Sequence, residues 1–76
     1  MKAKYVIIKQ GSFEVPVVFS ELLIHSDLAG KSPVISAGFC EMSRDGRWRV
    51  AGRSTSLNVN SRPEDAAILN AHLAET

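Results

Sequence analysis

Apolar and polar positions alternate with a period of two at the start of the chain. "KYVIIKQ" (4–10) and "FEVPVVFS" (13–20) are rich in Val, Ile, Tyr and Phe, and Gly11-Ser12 separates them. Gly-Ser suits a two-residue type II′ turn with Gly first, so a β-hairpin is expected. Its register pairs Gln10 with Phe13, Lys9 with Glu14, Ile8 with Val15, Ile7 with Pro16 and Val6 with Val17. Val6, Ile8, Phe13, Val15, Val17 and Phe19 then share one face, the expected core. Tyr5, Ile7, Lys9, Glu14, Pro16 and Val18 share the other, which opens on a Lys9–Glu14 cross-strand pair and turns apolar further from the turn. Ile7–Pro16 is a non-hydrogen-bonded pair in this register, so position 16 aims its nitrogen outward, where proline has no N–H to offer. The second strand is therefore expected at a sheet edge.

In "SELLIHSDLAGK" (20–31) the period changes. Ser20 can cap, Leu22, Leu23 and Ile24 are apolar, and Gly30 can close, which predicts a short helix over about 21–28. "SPVISAGFCEMS-RDG-RWRVAGRSTSLNV" (32–59) predicts a second hairpin. A two-residue Asp45-Gly46 turn would set Glu41 against Val50 on the Trp48 face, a poor place for a carboxylate. A type I turn with Gly46 as a left-handed bulge residue instead pairs Met42 with Trp48, Cys40 with Val50 and Glu41 with Arg49, gathering the apolar side chains on one face. That register is preferred, with Trp48 expected on the same side of the sheet as Phe13. Beyond Gly52 the apolar parity flips towards Leu57 and Val59, which predicts a bulge near Ala51–Gly52 or a second face that becomes buried at that end. "SRPEDAAILNAHLAET" (61–76) predicts the clearest helix. Ser61 and Glu64 form a capping box, Pro63 sits in the first turn, and Ala66, Leu69 and Leu73 make a narrow apolar stripe expected to lie on the core face. The fold class is α+β: a two-layer domain with a four-stranded, mainly antiparallel sheet of two β-hairpins, a C-terminal helix packed on one face and a short helix between the hairpins.

Length and composition sharpen this picture. The 76 residues suit a single domain, 1–76, and with 45% apolar residues disorder is not expected. A domain of this size buries only about 60% of the surface its unfolded chain exposes, so its own core is thin. The net charge of +1 supplies no global field for nucleic acid or membrane. Cys40 is the single cysteine, which rules out an intramolecular disulfide or a cysteine metal cluster and suits a reducing, cytoplasmic setting. The apolar run "YVII" is too short for a signal peptide, no stretch approaches a membrane span, and no motif implies a cofactor or a metal.

Four features are candidates for function. Arg47, Arg49 and Arg53 fall on odd positions of one predicted strand, an arrangement that an anionic ligand or nucleic acid would recognise. Only Phe39 offers a stacking aromatic there, and a solvated sheet face explains the arginines more simply. His25 and Asp27 lie two apart, as a carboxylate orienting an imidazole base would; Cys40, the obvious nucleophile, reads instead as a small core residue. His72 falls late in the last helix, where its negative end favours a cation, and two histidines without a third ligand make a weak metal site. The hydroxyl-rich stretch 54–61 is suited either to a ligand or to the helix cap. The strongest hint is apolar. Tyr5, Ile7 and Val18, with Phe39, and with Ile35 and Leu57 nearby, exceed what one helix can cover, and exposed apolar area of that kind marks an interface. A symmetric homodimer would remedy the small core as well.

"YVIIKQGSFEVPVVFSELLIHSDLAG", "SAGFC" and "SRPEDAAIL" resemble small uncharacterised proteins encoded in bacteriophage and prophage genomes. The resemblance covers most of the chain, carries over no site residues, and implies a bacterial or phage cytoplasmic setting with a host- or phage-directed partner. The expectation is a small cytoplasmic, non-enzymatic interaction module. It would be homodimeric and bind another macromolecule through Tyr5, Ile7, Val18 and Phe39, without cofactor, metal or membrane. The alternative is a nucleic-acid or nucleotide binder using Arg47, Arg49 and Arg53; a small enzyme built on His25 and Asp27 comes third.

Overall fold

A computed structural model describes residues 2–72. Strands β1 (Lys2–Gln10), β2 (Phe13–Phe19), β3 (Val34–Met42) and β4 (Trp48–Ala51) form one antiparallel sheet in the order β2-β1-β3-β4. Helix α1 (His25–Ala29) lies between β2 and β3, a small ribbon of β5 (Arg53–Ser54) and β6 (Val59–Asn60) follows β4, and α2 (Asp65–His72) follows the ribbon. The fold is α+β. No helix among the described residues is long and apolar enough to cross a membrane.

Turn chemistry sets the registers. β1 and β2 pair as expected, from Gln10↔Phe13 to Lys4↔Phe19. Gly11 has φ 62° while Ser12 stays on the negative side, the combination a type II′ turn requires. β3 and β4 pair Met42↔Trp48, Cys40↔Val50 and Glu41↔Arg49, the three-residue-loop register. Gly46 takes φ 82°, the Ser43 N–H donates to the Arg47 carbonyl at 2.9 Å, and the Gly46 N–H donates to the Ser43 carbonyl at 3.0 Å. Asp45 accepts from the Ser43 hydroxyl and the Arg47 N–H, and these bonds hold its carboxyl below the usual range.

Pro16 lies on an edge strand, where its missing N–H costs no ladder bond. The opposite edge is closed differently. The Trp48 N–H donates to Asn70 Oδ1 at 2.7 Å and Asn70 Nδ2 donates to the Trp48 carbonyl at 3.2 Å. The Asn70 amide thus stands where a fifth strand would pair, a side-chain plug for an open edge. Asn70→Ala strips both bonds and is expected to cost about 1–2 kcal/mol in urea unfolding followed by Trp48 fluorescence. An unchanged midpoint would show that the plug carries no stability.

Both helices start later than expected. Ser20 does not cap α1; its hydroxyl accepts from the Leu22 N–H at 3.1 Å and its carbonyl from the Leu23 N–H at 3.1 Å. This pins a turn over 20–23, and the helix begins only at His25. Ser61 does not cap α2 either, because its hydroxyl donates to the Gly52 carbonyl at 2.8 Å. The box is shifted by one: the Asp65 carboxylate reaches back to the Arg62 N–H at 2.9 Å, and the Asp65 N–H donates to the Arg62 carbonyl at 3.0 Å. Leu73 lies outside the described residues.

The two faces of the sheet are both buried over much of their area, and their roles are exchanged relative to the sequence expectation. Ala3, Tyr5, Ile7, Cys40 and Trp48 cluster with Leu69 of α2, and Val18, Met42 and Val50 pack against them. Val6, Ile8, Phe19 and Ala37 cluster on the other face under Leu28 of α1 and Leu57 and Val59 of the ribbon. Trp48 and Phe13 therefore point to opposite sides. The cause is the β1–β3 register, Ala3↔Cys40 and Tyr5↔Gly38, which sets odd positions of β1 beside even positions of β3. β1 thus carries apolar side chains on both faces, as a central strand does. The parity flip after Gly52 (φ 79°) is where the chain leaves the sheet: β4 ends at Ala51 and the ribbon swings over the second face.

Candidate functional site

Tyr5 and Ile7 are fully buried and Val18 is half-buried, all three beneath α2. Tyr5 and Ile7 offer no contact surface, and the expected interface at these two is corrected accordingly; Val18 keeps partial exposure and lines a surface hollow with Ala3 and Leu22. What draws α2 onto them is polar. Asp65, wholly buried, accepts from Tyr5 Oη at 2.6 Å, from Ser36 Oγ at 2.9 Å and from Arg62 Nε at 2.9 Å. Arg62 Nη2 lies 2.8 Å from the same carboxylate and 2.8 Å from Glu14 on the edge strand. Burial works against the Arg62 charge, but Glu14 and Asp65 outweigh it and hold its pKa above the ordinary value. From the sequence, Asp65, an acid at this place in a helix start, has the ordinary role of complementing the positive helix end. Its one visible clue is the second acid directly after Glu64 in the capping window.

The uncovered part of the sheet lies on the second face, at the end away from the Gly11 turn. Cross-strand neighbours form two rows there: Lys2, Glu41 and Arg49, then Lys4, Phe39 and Ala51. Phe39 is 44% exposed yet firmly backed. His25 stands edge-on to it at 5.8 Å between ring centroids and edge-on to Phe19 at 5.4 Å. A side chain at Gly52 would meet the Phe39 ring at 3.1 Å, so the backbone passes against the ring only because residue 52 is glycine. Lys4 Nζ sits 5.9 Å from the ring centroid and donates to the Leu23 carbonyl at 2.7 Å.

That last bond ties the 20–24 turn beside Phe39. Its side chains do not turn inward: Leu22 is 93% exposed, Leu23 44% and Ile24 49%. Three consecutive aliphatics in water, on a turn pinned by Ser20 and Lys4, form a prepared apolar ridge. Next to it a groove of about 410 Å³ is lined by Lys2, Glu21, Phe39, Glu41, Arg49 and Ala51, with Cys40 and Val50 contributing at its margin. The remaining exposed aromatic, Phe13, lies at the far end of the sheet beside the Gly11 turn.

The other candidates are placed as follows. His25 is buried and its Nε2 donates to the Gly38 carbonyl at 2.8 Å, whereas Asp27 is exposed. Among the described residues no hydrogen bond joins them, so they make no catalytic pair. Burial pushes the Cys40 thiol up to about 11, so it stays protonated at neutral pH and is a poor nucleophile. Arg47, Arg49 and Arg53 are all exposed but do not form one stripe. Arg49 borders the groove beside Glu41, Arg47 belongs to the turn, and Arg53 on the ribbon donates to Asn58. His72 is exposed. Three of the four hydroxyls of 54–61 are engaged within the chain: Ser54 accepts from the Leu57 N–H, Ser56 from the Ser26 N–H, and Ser61 donates to Gly52, while Thr55 is exposed. No protein-family model, curated protein or solved structure matches the chain.

Proposed function

We propose that the chain is a non-enzymatic binding module that docks a macromolecule on Leu22, Leu23, Ile24 and Phe39. One observation carries this reading: an aliphatic ridge that the fold holds outward, beside an aromatic ring that the fold fixes at half exposure. A chain with this thin a core would gain by burying Leu22 internally; holding it in water is sensible where a partner completes the burial. The groups suited to catalysis support the same view, since His25 is bonded to a backbone carbonyl and Cys40 is buried and protonated. The resemblance to phage and prophage proteins supports a cytoplasmic setting and a host- or phage-directed role. The arginine reading has less behind it, because Glu41 stands next to Arg49 and Arg53 is engaged by Asn58.

A photoreactive residue at position 22 or 39 of the full chain tests the proposal in extracts of a bacterial host. Adducts to one defined species are expected from both positions, competed by unlabelled chain, and none from position 44 at the exposed turn tip. They should persist at high salt, as an apolar contact does and a nucleic-acid contact does not. Equal labelling from all three positions would refute the docking surface.

A further inference from the structure

We infer that the partner on this surface is a second copy of the chain, in a two-fold symmetric dimer where Leu22 of each copy enters the groove beside Phe39 of the other. The inference rests on the docking surface proposed above and names its occupant.

Two observations point to self-association. First, the ridge and the groove adjoin at the same end of the sheet: Lys2 and Glu21 line both the groove and a hollow lined also by Leu22, Ala3 and Val18. A two-fold axis between a projection and an adjacent recess pairs each with its counterpart twice, the isologous geometry of a closed dimer. Secondly, the rim is self-complementary in charge. It carries Lys2 and Arg49 against Glu21 and Glu41, with Glu41 between the two cations in its cross-strand row. Among the described residues none of the four closes an ion pair within the chain. An acidic or a basic partner would meet like charge over half of this rim, whereas a copy rotated to bring Arg49 over Glu41, or Lys2 over Glu21, meets the opposite sign. A stable interface takes about 800 Å² from each partner. Against a total surface of 4985 Å² this demands ridge and groove together, not the ridge alone.

Light scattering on the purified full chain, at about 100 μM so that micromolar affinity is saturating, should report a dimer. Two charge variants then test the geometry: Lys2→Glu with Arg49→Glu, and Glu21→Lys with Glu41→Lys. All four positions are exposed, and circular dichroism verifies that each variant folds. Each alone is expected to self-associate at least about tenfold more weakly, and an equimolar mixture to form a mixed dimer with affinity restored. A monomeric wild type overturns the inference. So do variants that dimerise like the wild type and do not exchange on mixing. If the wild type is monomeric while position 22 still cross-links a different protein, the occupant is wrong and the docking surface stands. If the wild type dimerises and Leu22→Asp leaves the dimer intact, the interface lies elsewhere and the inference falls, while cross-linking from positions 22 and 39 decides the docking surface.

Discussion

Asp65→Ala should leave the chain largely unfolded at room temperature. The carboxylate is wholly buried and serves four donors: Tyr5 Oη, Ser36 Oγ, the Arg62 N–H and the Arg62 guanidinium. Truncation strands the Tyr5 and Ser36 hydroxyls in a dry interior, at about 1–3 kcal/mol for each buried donor left unpaired. It also leaves Arg62 without its buried partner, although the guanidinium is partly exposed and keeps Glu14, so this loss is smaller than for a fully buried pair. A core of this size rarely supplies more than about 3–5 kcal/mol in total. The two stranded hydroxyls alone, at about 2–6 kcal/mol, approach the whole stability. Asp65→Asn keeps the volume and one acceptor, but whichever way the amide turns, its N–H₂ meets an Arg62 N–H that can only donate beside a hydroxyl that can reverse and accept, so it should fall between Ala and wild type. Tyr5→Phe removes a single donor and should cost least. Urea unfolding followed by Trp48 fluorescence and circular dichroism orders the three. A well-folded Asp65→Ala within about 1 kcal/mol of wild type would show that the hub does not hold α2 in place.

The same hub decides which surface is left for a partner. With α2 anchored through Asp65 over Tyr5 and Ser36, the face bearing Ile7 and Trp48 is closed. Among the described residues the second face receives a five-residue helix and a short ribbon. These cover Val6, Ile8 and Ala37, but His25 of α1 and the backbone at Gly52 only back the Phe39 ring, which stays 44% exposed beside the Lys2–Glu41–Arg49 row. Exposure at Phe39 is thus a consequence of where one carboxylate finds its donors.

Local chemistry was legible in the sequence and long-range pairing was not. Gly11-Ser12 and Gly46 each demand a particular turn, and a turn sets every pair in its ladder, so both registers could be read residue by residue. Pro16 marked the edge strand for an equally local reason. No turn links β1 to β3, so nothing local says that Ala3 faces Cys40, and that single register decides whether Trp48 lies with Phe13 or with Tyr5. A parity argument within each strand pair is blind to it. The ridge was half legible. Leu22, Leu23 and Ile24 read as the apolar side of a helix, but Ser20 spends its hydroxyl and carbonyl on a tight turn that ejects them. Phe39 was recognised as surplus apolar area, although it was grouped with side chains that point the other way. Asp65 was hidden because a carboxylate near a helix start has an ordinary surface role, and its burial depends on Tyr5 and Ser36, 60 and 29 residues away.

Alkaline pH should unfold the chain, because two buried acids must lose their protons. Burial, then the hydrogen bond to Asp65 and its negative charge, push the Tyr5 hydroxyl far above the ordinary 10.0. Burial alone pushes Cys40 from 9.0 up to about 11. Both groups are acids whose folded form holds its proton longer than the unfolded form. Above pH 9.0 for the thiol and 10.0 for the phenol, the unfolded chain therefore binds fewer protons than the native one, and stability falls as pH rises. The stabilisation is fully present below those values. The thiol loses its share by about pH 11, whereas the phenol goes on losing beyond it. Each proton contributes about 1.4 kcal/mol per pH unit, so the two together remove roughly 4 kcal/mol by pH 11, comparable to the total stability of a domain this small. Tyr5 is the single tyrosine, so tyrosinate absorbance reports on it alone. Its ionisation should coincide with the loss of helical and Trp48 signals rather than precede it. Cys40→Ala should move the midpoint to higher pH, unless the small cavity it leaves offsets the gain, which the midpoint in urea at neutral pH separates. A tyrosinate that forms near pH 10 in a chain still folded would mean that Tyr5 is not locked against Asp65, and the anchoring of α2 would have to be sought elsewhere.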